Sequence, residues 1–332
     1  MEHLDDVAIA NLAANRLLPD ERAEAMAHVE RCPDCDERLQ ATLFGNDVAT
    51  ADVEEPTSGS KLVTDNAELA GTRLGRYLIL DPVGKGALGI VYSAYDPELD
   101  RRIAIKVLRQ SVTTSDAQQQ SLRHEARSMA RFSHPNVVPV FDVGIEDHRL
   151  FIAMELVDGW TLGDWVRNEE RSWREIRDVY HLAGEGLVAV HEAGLVYRDF
   201  KPSNVMLGRD GRVRLLDFGI AHKMLGPSTF VPGSIGARGG LGTPGYMAPE
   251  QYSITEKVDA QADQYAFCAS VYEALYGVRP FGGRTVEVVH ENTVAQRWSQ
   301  PQRDPGAPPW LRAAIVRGLS LERGARWPDM PS

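Results

Sequence analysis

A boundary near residue 73 constrains this 332-residue chain more than any other feature. Residues 1–72 carry 16 Asp and Glu against 5 Lys and Arg, which accounts for the whole net charge of −11. Residues 73–332 carry 31 of each sign. The pattern of residue types changes at the same place. Residues from about 5 to 40 read as helical: Val7, Ile9, Ala10 and Leu12 precede a break at Leu18-Pro19-Asp20, and 21–30 is rich in Ala, Glu and Arg. From about Thr42 to Thr72 periodicity dissolves into Asp, Glu, Thr, Ser, Gly and Pro, the composition of a flexible acidic linker. From Arg76 the chain alternates as strands do, at Tyr77–Leu80, Ile90–Tyr92 and Ile103–Leu108. A helical segment at about Asp116–Phe132 and strand-like runs at Val137–Val143 and Leu150–Leu156 follow. Beyond Thr161 the pattern is mostly helical, with short strands near Val205–Leu207 and Val213–Leu215. This predicts an α+β chain with a strand-rich lobe, a helix-rich lobe and a small all-α unit ahead of them.

Several classes are excluded. No run reaches the ~18 uncharged apolar residues of a membrane span; the most apolar window, Leu182–Val196, contains Glu185, His191 and Glu192. The start, Met-Glu-His-Leu-Asp-Asp, lacks the basic and apolar regions of a secretory signal. Three cysteines cannot form a disulfide framework, so a reducing, cytoplasmic setting is expected. The acidic surplus at the start argues against binding nucleic acid or anionic lipid there.

Chemistry-bearing residues are concentrated in the larger part. Gly84-Lys-Gly86-Ala-Leu-Gly89-Ile-Val91 lies between two strand-like runs, where glycines let a backbone approach an anionic ligand. A strand follows rather than a helix, which excludes a dinucleotide fingerprint. Lys106 sits inside an apolar strand; pointing at water it needs nothing, but buried it needs an anion, and Glu125 on the next helical segment is a candidate. The densest block is Tyr197-Arg-Asp199-Phe-Lys201-Pro-Ser-Asn204, with Asp217-Phe-Gly219 starting thirteen residues after Asn204 and Ala248-Pro-Glu250 further on.

In this order the motifs resemble a protein kinase of the Ser/Thr type, similar to the bacterial (Hanks-type) members, over about residues 77–330. The resemblance implies a two-lobed fold and transfer of the ATP γ-phosphate to protein Ser or Thr hydroxyls, with Mg²⁺ or Mn²⁺ (EC 2.7.11.1). It implies that Gly84, Gly86 and Gly89 cover the phosphates and that Lys106, paired with Glu125, holds two of them. Asn204 and Asp217 are implied as metal ligands, Asp199 as the group receiving the substrate hydroxyl proton, and Lys201 as a charge offset. Val83, Val91, Ala104 and Met206 are assigned to the nucleotide pocket, with Met154 at the gatekeeper position and Glu155 and Val157 as hinge groups for adenine. Glu250 is expected to pair with Arg326, and Asp263 to brace the catalytic-loop backbone.

The family usually has His where this chain has Tyr197, a packing position expected to join Met129, Val140 and Phe218 in a column between the lobes. Arg198 before Asp199 implies control by phosphorylation of the activation segment. Ser228, Thr229, Ser234 and Thr243 are the candidates there; Thr243 matches a family Thr that contacts the catalytic Asp, leaving Ser228 and Thr229 as better switches. The family's last helix, expected after Arg326-Trp327-Pro328, is missing from the pattern. A rival implication is a pseudokinase scaffold without transfer, against which the retention of Lys106, Asp199, Asn204 and Asp217 weighs.

In the small unit, His28-Val-Glu-Arg-Cys32-Pro-Asp-Cys35 has metal-ligand spacing, with His28 and Cys32 four apart as on one helical face. Zn²⁺, a redox pair and unliganded thiols are the three readings; the βαβ setting of a redox motif is absent. The stretch resembles the zinc-binding anti-sigma domain, which implies Zn²⁺ held by His28, Cys32, Cys35 and an upstream ligand matching His3. It also implies a protein partner, sigma-factor-like or the kinase part itself, and a second rival in which the chain acts chiefly as an anti-sigma regulator. The expected domains are thus 1–41, a linker over 42–72, and a kinase domain over 73–332 with lobes meeting near 157–158.

Overall fold

The computed structural model describes residues 69–86, 89–108, 132–146, 149–216, 243–253 and 256–332, together with residues 3–5, 8, 9, 25, 28, 29, 32, 34 and 35. The chain divides into two compact units, Met1–Val63 and Thr64–Ser332, so the division falls inside the segment read as a linker.

The larger unit begins with six antiparallel strands: β1 (Arg73–Leu74), β2 (Tyr77–Gly86), β3 (Gly89–Asp96), β4 (Arg101–Leu108), β5 (Val140–Glu146) and β6 (Arg149–Met154). They are ordered β1-β2-β3-β4-β6-β5 in one sheet. Both faces of β4 are buried from Ile103 onward. Its β-branched Ile103, Ile105 and Val107 join Tyr77, Ile79, Tyr92 and Phe151 in one cluster. Ala104 and Leu108 join the other cluster, with Met154, Tyr197 and Phe200. Successive strand residues face opposite ways, so Lys106 shares the face of Ala104 and Leu108, toward the second lobe.

That lobe opens with β7 (Gly159–Thr161), which pairs with β8 (Val205–Gly208), and β8 with β9 (Val213–Leu215). Five described helices follow the chain: α1 (Leu162–Asn168), α2 (Trp173–Glu192), α3 (Ala260–Tyr276), α4 (Val286–Val294) and α5 (Pro309–Gly318). A capping box starts α2: Ser172 accepts from the Glu175 amide while Glu175 accepts from the Ser172 amide. Ile176, Tyr180, Ala183, Leu187 and Val190 then form its buried stripe at three- and four-residue spacing. By contrast α3 is buried nearly all round, as suits the central helix of the lobe, and ends on Gly277 in the left-handed region at φ +73°.

Differences from the sequence reading have local causes. The strand expected from Val137 starts only at Val140; Val137 makes a parallel bridge to Leu215 instead, and Pro139 has no amide to donate. The strand expected to reach Leu156 ends at Met154, beyond which the Glu155 amide turns to the Pro139 carbonyl at 3.2 Å. The helix expected over Asp116–Phe132 lies almost wholly outside the described residues. In the small unit, Ile9, Ala25, Val29, Cys32 and Cys35 form a buried cluster against Leu4.

Candidate active site

The glycine loop is the hairpin of β2 and β3, and its glycines do two different things. A Cβ at Gly89 would run into the Val107 carbonyl, so Gly89 is required for β3 to lie on β4. A Cβ at Gly86 would meet nothing within 4 Å, and one at Gly84 only Val91 at 3.9 Å. Gly84 and Gly86 thus place no side chain over the hairpin backbone, which suits an approach by phosphate oxygens. In register, Gly84 stands opposite Val91, Val91 opposite Lys106, and Ala104 opposite Met154. Lys106 is only 9% exposed, and Val83 is exposed at the hairpin.

The block 197–204 folds into a tight set of contacts. Asp199 Oδ2 accepts from Asn204 Nδ2 at 2.9 Å and lies 3.0 Å from Lys201 Nζ. Asn204 Nδ2 also donates to the Asp199 carbonyl at 2.9 Å. Among the described residues this leaves Asp199 Oδ1 and Asn204 Oδ1 without a hydrogen bond. The loop backbone is held by Asp263, whose Oδ2 accepts from the Tyr197 amide at 2.7 Å and Oδ1 from the Arg198 amide at 2.5 Å. His191 Nε2 lies 2.8 Å from the same Asp263 Oδ2. The brace expected of Asp263 is present.

Tyr197 is fully buried, and its ring meets Phe200 edge-on at 6.0 Å. Its hydroxyl donates to the carbonyls of Asn204, at 3.2 Å, and Leu216. A histidine ring is too short to end at the same place, so Tyr does more than fill space: it ties the catalytic loop to the strand leading to Asp217. Val140 shares its cluster, while Met129 and Phe218 lie outside the described residues.

Met154 ends β6 and the hinge follows. The Glu155 amide is engaged by the Pro139 carbonyl, while among the described residues no backbone hydrogen bond joins the Glu155 carbonyl or Val157. The Glu155 carboxylate is held from below by Arg214 of β9, 3.0 Å away. Arg214, 3% exposed, also pairs with Asp210 at 2.6 Å and stands opposite Met206 in the β8–β9 register. The Asp210 hydrogen bond raises the Arg214 pKa, and the Arg214 bond in turn holds the Asp210 carboxyl well below the usual range. Sequence reasoning missed Arg214, although the signal that singled out Lys106, a cation within an apolar strand, was present in Val213-Arg214-Leu215.

Glu250 and Arg326 pair as expected. Thr243 does not meet Asp199 in the described structure: its carbonyl accepts from the Tyr246 amide at 2.9 Å, and no hydrogen bond joins it to the catalytic loop. Glu125, Asp217, Ser228, Thr229 and Ser234 lie outside the described residues.

In the small unit, His3, Cys32 and Cys35 offer ligand atoms all within 4.8 Å of one another. His3 Nδ1 is 3.2 Å from Cys32 Sγ and 3.6 Å from Cys35 Sγ, and the Leu4 amide points at Cys35 Sγ from 3.3 Å. Among the described residues His28 is not in the group, and its Nε2 is a buried atom with no hydrogen-bond partner there. The spacing argument for His28 fails because Cys32 lies between helical residues 28–29 and 34–35 and is not itself helical.

A glycine-rich strand hairpin, a buried lysine and a braced Asp-Lys-Asn loop are thus contributed by a sheet lobe and a helical lobe. The family model described as "Protein kinase domain" matches residues 77–311, and the chain belongs to the protein kinase family. A Streptomyces coelicolor protein named as a probable serine/threonine-protein kinase is 35% identical over 260 residues, 76% of this chain and 38% of its own length. Mycobacterium tuberculosis PknE, named as a serine/threonine-protein kinase, is 32% identical over 257 residues, 75% of this chain and 43% of that protein. The chain thus spans less than half the length of these curated relatives. Among solved structures, the kinase domain of Mycobacterium tuberculosis PknI matches with TM-score 0.59 at 25% identity, covering 80% of this chain and 95% of that one. No described helix is long and apolar enough to cross a membrane.

Proposed function

We propose that this chain is a serine/threonine protein kinase that transfers the γ-phosphate of ATP to protein hydroxyls with Mg²⁺ or Mn²⁺. The observation that carries this reading is the Asp199–Lys201–Asn204 cluster, closed at 2.9–3.0 Å on a loop whose amides are fixed by Asp263. The residues fit the reactants. The absence of side chains at Gly84 and Gly86 suits a triphosphate, Lys106 supplies a buried cation, and Asn204 Oδ1 is a hard oxygen not engaged by described residues. On this reading Asn204 and Asp217 hold the metal, which when bound supplies positive charge against the phosphate oxygens.

The remaining chemistry belongs to the side chains. Asp199 Oδ1 accepts the hydrogen bond of the incoming Ser or Thr hydroxyl and receives its proton as the oxygen bonds to the γ-phosphorus and the bond to the departing ADP breaks. Lys201 and Asn204 hold Oδ2, so the carboxylate keeps one orientation, and Lys201 offsets charge on the transferring group. Val83, Val91 and Ala104 above and Met206 below enclose the base, whose edge meets the Glu155 carbonyl and Val157. Autophosphorylation within 217–250 belongs to the same proposal, with Ser228 and Thr229 as acceptors; Arg198 beside Asp199 supports it as a phosphate-pairing cation. The test is incubation with γ-labelled ATP and Mg²⁺ followed by phosphoamino acid analysis. Label on Ser and Thr that disappears with a chelator is expected; label on Tyr alone or none at all contradicts the reading.

The small unit carries its own proposal: residues 1–41 form a zinc module joined through an acidic linker to the kinase domain of 73–332. Three converging ligand atoms from His3, Cys32 and Cys35, and a backbone amide aimed at Cys35 Sγ, support it, since such a donor suits a thiolate. The fourth ligand is open, and His28 Nε2 is a buried nitrogen in the same unit without a hydrogen-bond partner among the described residues. Docking of a protein partner, sigma-factor-like or kinase, and a cytoplasmic location with reduced cysteines complete the proposal. Metal analysis of reduced protein should give about one Zn per chain, and less than about half would contradict the site.

A further inference from the structure

Arg198, immediately before Asp199, adopts φ +69°, a left-handed conformation that side-chain-bearing residues rarely take and that surrounding structure must hold. Asp263 holds only one side of it, through the Arg198 amide. The other side, the Arg198 carbonyl, accepts from Gln251 Nε2 at 3.1 Å. Gln251 is 6% exposed, and its second polar atom, Oε1, accepts from the Ala248 amide at 2.8 Å. Its own amide donates to the Ala248 carbonyl at 2.9 Å. One planar side chain therefore bridges the Ala248-Pro-Glu250 segment and the peptide that carries Asp199. That segment is itself anchored, because the neighbouring Glu250 is locked to Arg326.

We infer that Gln251 is a positioning residue of the transfer reaction, fixing the Arg198–Asp199 peptide from the end of the activation segment. This rests on the kinase reading above. The bond has directional consequences. If the Arg198 carbonyl loses its donor, the peptide plane is free to rotate, and rotation there swings the Asp199 carboxylate away from Asn204 and Lys201. Misplacement of a proton acceptor by about 1 Å is enough to cost orders of magnitude in rate. Nucleotide binding depends on other elements, the β2–β3 hairpin, β4 and the hinge, so it is left largely unchanged. Glutamine is the side chain of this length that supplies both a donor and an acceptor; glutamate keeps the acceptor for Ala248 but loses the donor to Arg198.

The test compares Gln251→Glu and Gln251→Met with the parent chain, using γ-labelled ATP and myelin basic protein, with Asp199→Asn as the blank and thermal melting to measure the folded fraction. Both variants are expected to lose about tenfold or more in kcat per folded molecule, with KM for ATP within about twofold of the parent. Parental kcat in Gln251→Glu overturns the inference, as does a loss accounted for by unfolding alone. If the parent itself transfers no more label than Asp199→Asn, the kinase reading fails and the positioning role fails with it. Normal parental transfer with an unaffected Gln251→Glu removes the positioning role and leaves the kinase reading standing.

Discussion

Arg326 grips Glu250 in a two-pronged ion pair, Nη1 to Oε1 and Nη2 to Oε2 both at 2.8 Å, with both side chains almost fully buried. The guanidinium's other protons go to carbonyls of Ser320, Gln261 and Leu321, so a charge expensive to bury is fully engaged. The pair binds the end of the activation segment to the last part of the chain. Arg326→Met leaves Glu250 charged and buried, and should cost about 3–5 kcal/mol in chemical unfolding. Arg326→Lys should recover little of it, because an ammonium cannot form the fork. A loss below about 1 kcal/mol for Arg326→Met would show the pair to be dispensable.

Tyr197 gives a prediction specific to this chain. Tyr197→Phe keeps the ring and removes the hydroxyl that reaches the Asn204 and Leu216 carbonyls. The Asn204 carbonyl still accepts from the Leu216 amide at 2.8 Å, so the loop is loosened rather than broken. A drop of about 1–2 kcal/mol in stability and a several-fold fall in kcat are expected. Unchanged melting and kinetics would mean that the hydroxyl holds nothing.

Arg214 is predicted to support ATP binding from outside the pocket. Arg214→Leu frees the Glu155 carboxylate and removes the strut between the hinge and β9. KM for ATP should rise about tenfold with kcat changed much less, and Arg214→Lys should restore part of the loss. An equal fall in kcat at constant KM would place the effect elsewhere.

Cys268, buried in the helical lobe, should be unreactive in the folded protein. Burial pushes the Cys268 thiol up to about 12, so at pH 8 it stays protonated and out of reach in the folded protein. Because the folded value is raised above the unfolded one, the associated stability is full below the ordinary thiol range and is lost as pH climbs toward 12. A thiol reagent at pH 8 should reach Cys268 only after denaturant is added. Rapid modification of Cys268 without denaturant would contradict the packing around it.

The gathering of Asp199, Lys201 and Asn204 was legible because they stand in one short block, and the structure brings them within 2.9–3.0 Å. The alternation in 103–108 was equally legible, since β-branched residues at every second position must face a core. What was not legible depends on where the backbone goes. β7 is three residues long and has no pattern of its own; it exists because Gly159 lets the chain press against Leu207 and Gly208. His28 was chosen by assuming that the helix continues to Cys32, and it does not. Gln251 carries no sequence signal beyond following Ala248-Pro-Glu250, because its role comes from two peptide groups brought beside it by folding.

Asp199 is the residue on which phosphoryl transfer by this chain stands or falls. Asp199→Asn preserves shape and keeps an oxygen near Asn204 and Lys201, but it removes the carboxylate that receives the hydroxyl proton. Titration with a fluorescent ATP analogue and Mg²⁺ should give the same affinity for the variant and the parent, within about twofold, while transfer to Ser and Thr falls at least about a hundredfold. Equal transfer by the two proteins would contradict the account.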